Sequence, residues 1–160
     1  MTSIFQASAV AVATLGAGAA TVSVMKDNPS DVVVPDGPWE RGMALDQRVF
    51  YTTDTIQETG KVVQDELHFL NGKFQSSMCQ TYCAFGWSEY RTWTEGKVMH
   101  FSTITRCPDA PHTVVWHGTV TGDEVRFEGT WTTRRWYWTR QLNVIGEGSV
   151  TPPGDEALAG

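Results

Sequence analysis

Residues 114–131, V-V-W-H-G-T-V-T-G-D-E-V-R-F-E-G-T-W, constrain the fold more than any other stretch of this chain. Two runs of alternating residues flank Gly122-Asp123. A glycine at the first central position of a two-residue loop suits a primed hairpin turn, whose twist matches that of its strands. With that turn, Val114 faces Trp131, Trp116 faces Gly129, Gly118 faces Phe127 and Val120 faces Val125. The opposite face pairs Thr119 with Arg126 and His117 with Glu128. One face is apolar, with large rings lying over glycines, and the other is polar. This pattern speaks of packing and carries little chemistry.

Two further turns extend it. Asn71-Gly72 is a strong type I′ signal, because both central residues of that turn need positive φ. It pairs Phe69 with Phe74 and Leu67 with Ser76 on one face, and His68 with Gln75 on the other. A turn at Glu95-Gly96 places Trp93 opposite Val98, Arg91 opposite His100, Thr92 opposite Met99 and Tyr90 opposite Phe101. The row of Tyr90, Met99 and Phe101 is the more continuous apolar one and is expected to point inward. No 3.6-residue apolar period is sustained between 45 and 150. The expected strands are 47–54, 62–70, 73–79, 88–94, 97–105, 112–121, 124–133 and 140–149. Eight short antiparallel strands joined mainly by tight turns predict an all-β fold, an up-and-down eight-stranded barrel, with a two-sheet sandwich as the alternative. Closure would remove exposed strand edges and leave an interior just wide enough for packed side chains or one small ligand.

Outside this block, residues 1–20 are expected to be a signal peptide, 21–44 a linker and 151–160 a disordered tail, leaving 45–150 as the single β domain. Residues 1–25 contain no charged side chain, and Ala17-Gly18-Ala19 offers a small-x-small cleavage site before or after Ala20. Gln6, Ser8, Thr14 and several glycines make this run a poor membrane span. The expected product is exported, periplasmic or secreted; a start at Met25 would give a cytoplasmic one. The V-V-V at 32–34 is a candidate short edge strand.

A net charge of −6 and a pI near 5.1 argue against a nucleic-acid surface, which needs clustered Lys and Arg. The three cysteines, Cys79, Cys83 and Cys107, fit an oxidising compartment with one disulfide and one leftover thiol. Sequence does not choose the pair. C-x3-C is neither a thioredoxin motif nor half of a zinc ribbon, and no metal or cofactor motif is present.

The runs L-D-Q-R-V-F near 45, L-x-F-x-N-G-K-F-x-S-x-x-C at 67–79, G-W-x-x-Y at 86–90, E-G-K-V-M-x-F at 95–101 and W-x-G-T-V-x-G-D-x-V after 116 form a recurring pattern. Together they resemble small, largely uncharacterised bacterial proteins with a lipocalin-like, or calycin, barrel. The resemblance covers roughly 45–150, and its motifs are turns, core aromatics and one cysteine near the third strand. It implies fold and export, and ligand binding only by analogy. Cys83, Cys107 and the W-Y-W at 136–138 depart from the pattern.

Candidate chemistry is sparse. His68, His100 and His117 are expected on solvent-facing strand faces and His112 in or beside a loop, which is the ordinary place for histidines that bind nothing. Asp65, Glu66, Glu89, Asp123, Glu124 and Glu128 are expected in turns or on polar faces, so no paired carboxylates emerge. A cysteine nucleophile would need Cys79 or Cys83 beside His112, against the simpler reading of a structural disulfide. The better candidates are the inward aromatics and their neighbour: Phe69, Phe74, Tyr90, Met99, Phe101, Trp116, Phe127 and Trp131 would line a pocket for a small apolar or amphipathic ligand, or merely fill the core. Arg134, Arg135, Trp136, Tyr137, Trp138 and Arg140 form a second candidate, a rim that would close the pocket mouth or meet an unknown protein partner. The alternative to an exposed rim of this kind is a strand continuing outward with Trp136 and Trp138 packed on the barrel. The leading expectation is therefore a non-enzymatic binder. A structural or interaction module acting through the rim is the second reading. A cyclase or isomerase using the cavity is the third, weakened because no ionisable side chain is expected inside.

Overall fold

The computed structural model describes residues 32–154. The expected leader, residues 21–31 of the expected linker and the tail from 155 onward lie outside the described residues. Nine strands and one short helix follow in order: β1 (Glu40–Arg41), β2 (Arg48–Ile56), β3 (Lys61–Leu70), β4 (Lys73–Ser76), α1 (Ser77–Cys83), β5 (Ser88–Glu95), β6 (Val98–Arg106), β7 (His112–Thr121), β8 (Glu124–Arg135) and β9 (Trp138–Ser149). All belong to one antiparallel sheet. From β2 to β9 each strand pairs with its neighbour in sequence, and β9 returns to pair with β2, so the sheet closes in a ring. β1 adds to the edge of β5.

The hairpin registers follow the turn chemistry. β7 and β8 pair Val114 with Trp131, Trp116 with Gly129, Gly118 with Phe127 and His117 with Glu128, as the Gly122-Asp123 turn requires. Gly122 takes a φ of 60° there, and Asn71 and Gly72 take 52° and 74° at the β3–β4 turn. The β5–β6 hairpin differs from expectation by two residues. Its turn is Gly96-Lys97, which brings Glu95 opposite Val98, Trp93 opposite His100 and Thr92 opposite Phe101. Gly96 is the residue at positive φ, 61°, and a type I′ or II′ loop needs that at its first central position. A shift of two leaves the inward and outward sets unchanged, so Tyr90 and Phe101 are still buried.

One expected strand is half helix. β4 ends at Ser76, whose hydroxyl accepts the Cys79 N–H at 3.1 Å and caps α1. The run S-M-C-Q-T-Y-C carries only one β-branched residue, and Ala84 closes the helix in the left-handed region with its N–H donating to Gln80 O. Residues 32–44, within the stretch expected as a linker, hold strand β1 and side-chain contacts to the ring. Val34 and its neighbours form no strand, but Val32 N–H donates to Thr130 Oγ1, and the Trp39 ring meets Trp93 and His117 edge-on.

The interior is uneven along its axis. One end is a packed cluster in which the Phe69 ring lies 5.0–6.0 Å from those of Phe50, Phe74, Tyr90 and Phe101, mostly edge to face. Each such ring contributes about 2–3 kcal/mol through burial, and the pairings add about 1 kcal/mol more. Leu45 and Asp46 stop this end: the Asp46 carboxylate accepts the Tyr90 hydroxyl at 2.8 Å and the Gly72 N–H at 2.9 Å. The other end is left open.

Candidate functional site

At that open end lies a cavity of about 240 Å³, lined by residues of β2, β3, β4, β7, β8, β9 and α1. Its walls are mostly apolar, with Val114, Trp116, Gly129, Leu142 and Val144 among them. Exposure rises from floor to mouth. Asp54, Asp65, Ser76 and Cys79 are buried at depth, whereas Tyr82, Lys61 and Arg140 stand exposed where it meets solvent. Trp131 is held at the mouth by the rings of Tyr82 (4.9 Å) and Phe85 (5.2 Å).

The floor carries two acids that correct the sequence expectation. Asp65 was expected in a turn or on a polar face, and no ionisable group was expected inside. Asp65 is instead on the inward face of β3 with Leu67 and Phe69, and Asp54 is on the inward face of β2 with Phe50 and Thr52. Asp65 is fully engaged. It accepts the Ser76 hydroxyl at 2.5 Å, the Met78 N–H at 2.8 Å and the Glu66 N–H at 2.7 Å, which fixes α1 to the ring. Burial raises its carboxyl above the usual range, and these three donors work against that rise. Asp54 differs: its Oδ1 has no hydrogen-bond partner, nor does Oγ1 of Thr52. Burial pushes the Asp54 carboxyl up to about 7, with the Thr52 hydroxyl and the Asp65 charge making smaller, opposing contributions. A carboxyl with one oxygen left without a donor can pair with a cation, or exchange a proton with whatever sits beside it.

The cavity selects among the expected pocket residues. Trp116 and Trp131 border it. Phe69, Phe74, Tyr90 and Phe101 belong to the closed-end cluster, Met99 is partly buried against that core, and Phe127 packs on Trp116 at 5.3 Å. The rim stands apart from the ring. Trp136 and Tyr137 form the β8–β9 turn, with Trp136 94% exposed, and Arg134, Arg135 and Trp138 flank it in the open. Arg140 alone of the six lines the cavity.

The cysteines are divided. Cys83, at the end of α1, is bonded to Cys107 beyond β6, and Cys79 is a buried free thiol that burial pushes up to about 12. A thiol so protonated is a poor nucleophile. All four histidines are half-buried. His68, His100 and His117 lie on outward faces, whereas His112 shares the inward-facing set of β7 with Val114 and Trp116 and its ring meets Trp131 and Tyr82 at the cavity mouth. His68 meets Glu66 at 3.0 Å, His112 meets Thr133 at 2.9 Å, and His100 stacks between Trp93 and His117. His100 therefore sits beside Trp93 rather than Arg91, a consequence of the two-residue register difference. Among the described residues no group of three or more His, Cys, Asp or Glu is arranged to hold a metal. A wider groove of about 1120 Å³ runs over the outer faces of β5 and β6, but it is a shallow surface feature of mixed polarity. No described helix is long and apolar enough to cross a membrane.

Comparison with protein-family models, curated proteins and solved structures finds no match to this chain.

Proposed function

We propose that this chain is an exported, lipocalin-like β-barrel that binds a small apolar or amphipathic molecule in its open-ended cavity. The observation that carries the reading is the cavity itself: about 240 Å³ left unfilled between Trp116 and Trp131 in an interior that elsewhere packs ring on ring. Protein interiors close to crystal-like density unless something prevents it. Apolar walls with a few convergent polar groups are the usual make-up of small-ligand sites. The Cys83–Cys107 disulfide fits an oxidising compartment, as does the uncharged leader read from the sequence.

The test is native mass spectrometry of protein purified from its own host, beside the variant Gly129→Leu. Gly129 borders the cavity, and a Cβ there would meet Trp116 and Val114 at ordinary contact distances, so a larger side chain enters empty space. A small-molecule mass retained by the native chain, lost on denaturation and absent from Gly129→Leu is the expected result. A bare native chain counts against the reading.

The exposed Trp136-Tyr137-Trp138 turn favours a second reading, contact with a partner protein through the rim. Pull-down of the same partner by native chain and not by Trp136→Ala would favour it.

A further inference from the structure

The two acids on the cavity floor are not equivalent. Asp65 has a structural task, because two of its three donors, the Ser76 hydroxyl and the Met78 N–H, join β3 to β4 and α1. Asp54 joins no other element in this way and its Oδ1 has no donor, although the residue is 2% exposed and lines the cavity. Strand periodicity calls only for an inward apolar side chain at position 54, and a buried polar group without a partner is costly wherever it occurs. Its surroundings also have a sign. Among the described residues the buried charged side chains are Asp54 and Asp65, both acids. The basic groups facing the cavity, Lys61 and Arg140, are exposed at the mouth and solvated.

We propose that the cavity selects a small apolar amine, whose ammonium donates to the Asp54 carboxylate while its hydrocarbon part lies against Trp116 and Trp131. The proposal rests on the cavity being a ligand site. An ammonium neutralises the buried acid and offers several donors, whereas a neutral hydroxyl gives one donor and leaves the charge uncompensated. The Trp116 and Trp131 rings in the lining can attract a cation as well. The space exceeds the roughly 150 Å³ that accommodates benzene in an engineered cavity, so one ring with a short chain fits.

The groups facing Asp54 give the pH dependence a definite direction. β3 contributes Asp65 and, at the mouth, Lys61; α1 contributes Cys79 and Tyr82; β9 contributes Arg140; β7 and β8 contribute Trp116, Gly129 and Trp131. His112 of β7 lies against Trp131 and Tyr82 at the mouth, where burial and then Arg135 hold its imidazole below the usual value, so that any charge it loses with rising pH acts in the same direction as Asp54. Cys79 stays a neutral thiol up to about 12, and Lys61 and Arg140 stand exposed at the mouth. Asp65, like Asp54, becomes more negative as pH rises. An aliphatic amine remains protonated over this range, so its binding tightens from acid toward pH 8.

The experiment titrates native protein with 2-phenylethylamine and with its neutral counterpart 2-phenylethanol, at pH 8 and pH 5.5, reading tryptophan fluorescence and heat. Asp54→Asn and Gly129→Leu are titrated alongside. At pH 8 the amine is expected to bind at least about tenfold tighter than the alcohol, the yield of one charge-assisted hydrogen bond. That preference shrinks at pH 5.5 and is lost in Asp54→Asn, while Gly129→Leu binds neither probe. Equal binding of the two probes, or an amine preference that survives in Asp54→Asn, overturns amine selection and leaves the cavity reading standing. Binding of neither probe to the native chain, or binding of both to Gly129→Leu, overturns the cavity reading together with the proposal. The pH comparison on native protein keeps the outcome decisive should Asp54→Asn fold poorly.

Discussion

Asp54 and Asp65 face the same interior from the neighbouring strands β2 and β3, yet Asp65 accepts three hydrogen bonds and Asp54 Oδ1 accepts none. The contrast separates a carboxyl that holds the fold together from one that the fold tolerates at a cost. Sites that carry function are where such local costs concentrate.

That cost has a pH signature. The Asp54 carboxyl, at about 7 when folded against 3.8 ordinarily, binds more protons folded than unfolded between those two values. Stability therefore falls as pH rises from about 4 to about 7 and levels off above, with Asp65 acting in the same direction. Asp54→Asn removes the larger part of this slope. At pH 8 it should stabilise the chain by on the order of 2 kcal/mol, since three pH units correspond to about 4 kcal/mol and water in the cavity screens part of it. Urea unfolding at pH 4.5 and pH 8 checks this, and a variant less stable than native at pH 8 would contradict it.

Ser76 serves two partners, accepting from Cys79 N–H and donating to Asp65. Ser76→Ala loses a helix cap and leaves a buried carboxylate with two donors in place of three. We expect a loss of about 2–3 kcal/mol, combining a cap of about 1 kcal/mol with a hydrogen bond to a charged group. Thermal unfolding measures it. A loss under about 0.5 kcal/mol, the range of ordinary surface substitutions, would show that α1 is not anchored through this residue.

Thiol chemistry should distinguish the cysteines. Unreduced native protein should react slowly or not at all with a thiol reagent, because Cys79 is buried and its thiol is pushed up to about 12. Denaturation without reductant should expose one thiol, and reduction three. Cys107→Ser should lose about 3 kcal/mol, the loop-closure value for a span of this length. Three thiols in unreduced denatured protein would remove the disulfide from the account.

Rings over glycines make a sharper packing prediction than composition does. A Cβ at Gly118 would overlap the Phe101 ring and press on Arg126 O, whereas one at Gly129 makes only ordinary contacts. Gly118→Ala should therefore cost about 1–3 kcal/mol by overpacking, and Gly129→Ala much less. Equal losses in urea unfolding would mean that the cavity beside Gly129 is filled.

Much of this architecture was legible because turn chemistry fixes register. Asn71-Gly72 and Gly122-Asp123 each left one pairing that matched the apolar rows. At Glu95-Gly96 the register differs from expectation by two residues because only one of these residues signals positive φ, and the choice between Gly96 as the second or first turn position rests on a single glycine. Helix α1 was missed because seven residues are too few for a period to show; the Ser76 cap and its partner Asp65 come together only in the folded chain. The acids were nearer to hand. Alternation from Phe50 places Thr52 and Asp54 inward, and alternation from Phe69 places Leu67 and Asp65 inward, but the expectation that carboxylates lie on polar faces overrode the count. Which aromatics fill space and which border a void depends on how the ring closes at one end over Leu45 and Asp46. No local pattern carries that information.

The most direct test of the account is a carbon-13 titration of the aspartate side-chain carboxyls, run with and without saturating 2-phenylethylamine. The account predicts that Asp54, assigned through its loss in Asp54→Asn, titrates near 7 in the free protein and at least about one pH unit lower with the amine bound, the shift expected when a cation sits beside a buried carboxylate. An Asp54 midpoint near the ordinary 3.8, or a midpoint near 7 that the amine does not move, would contradict it.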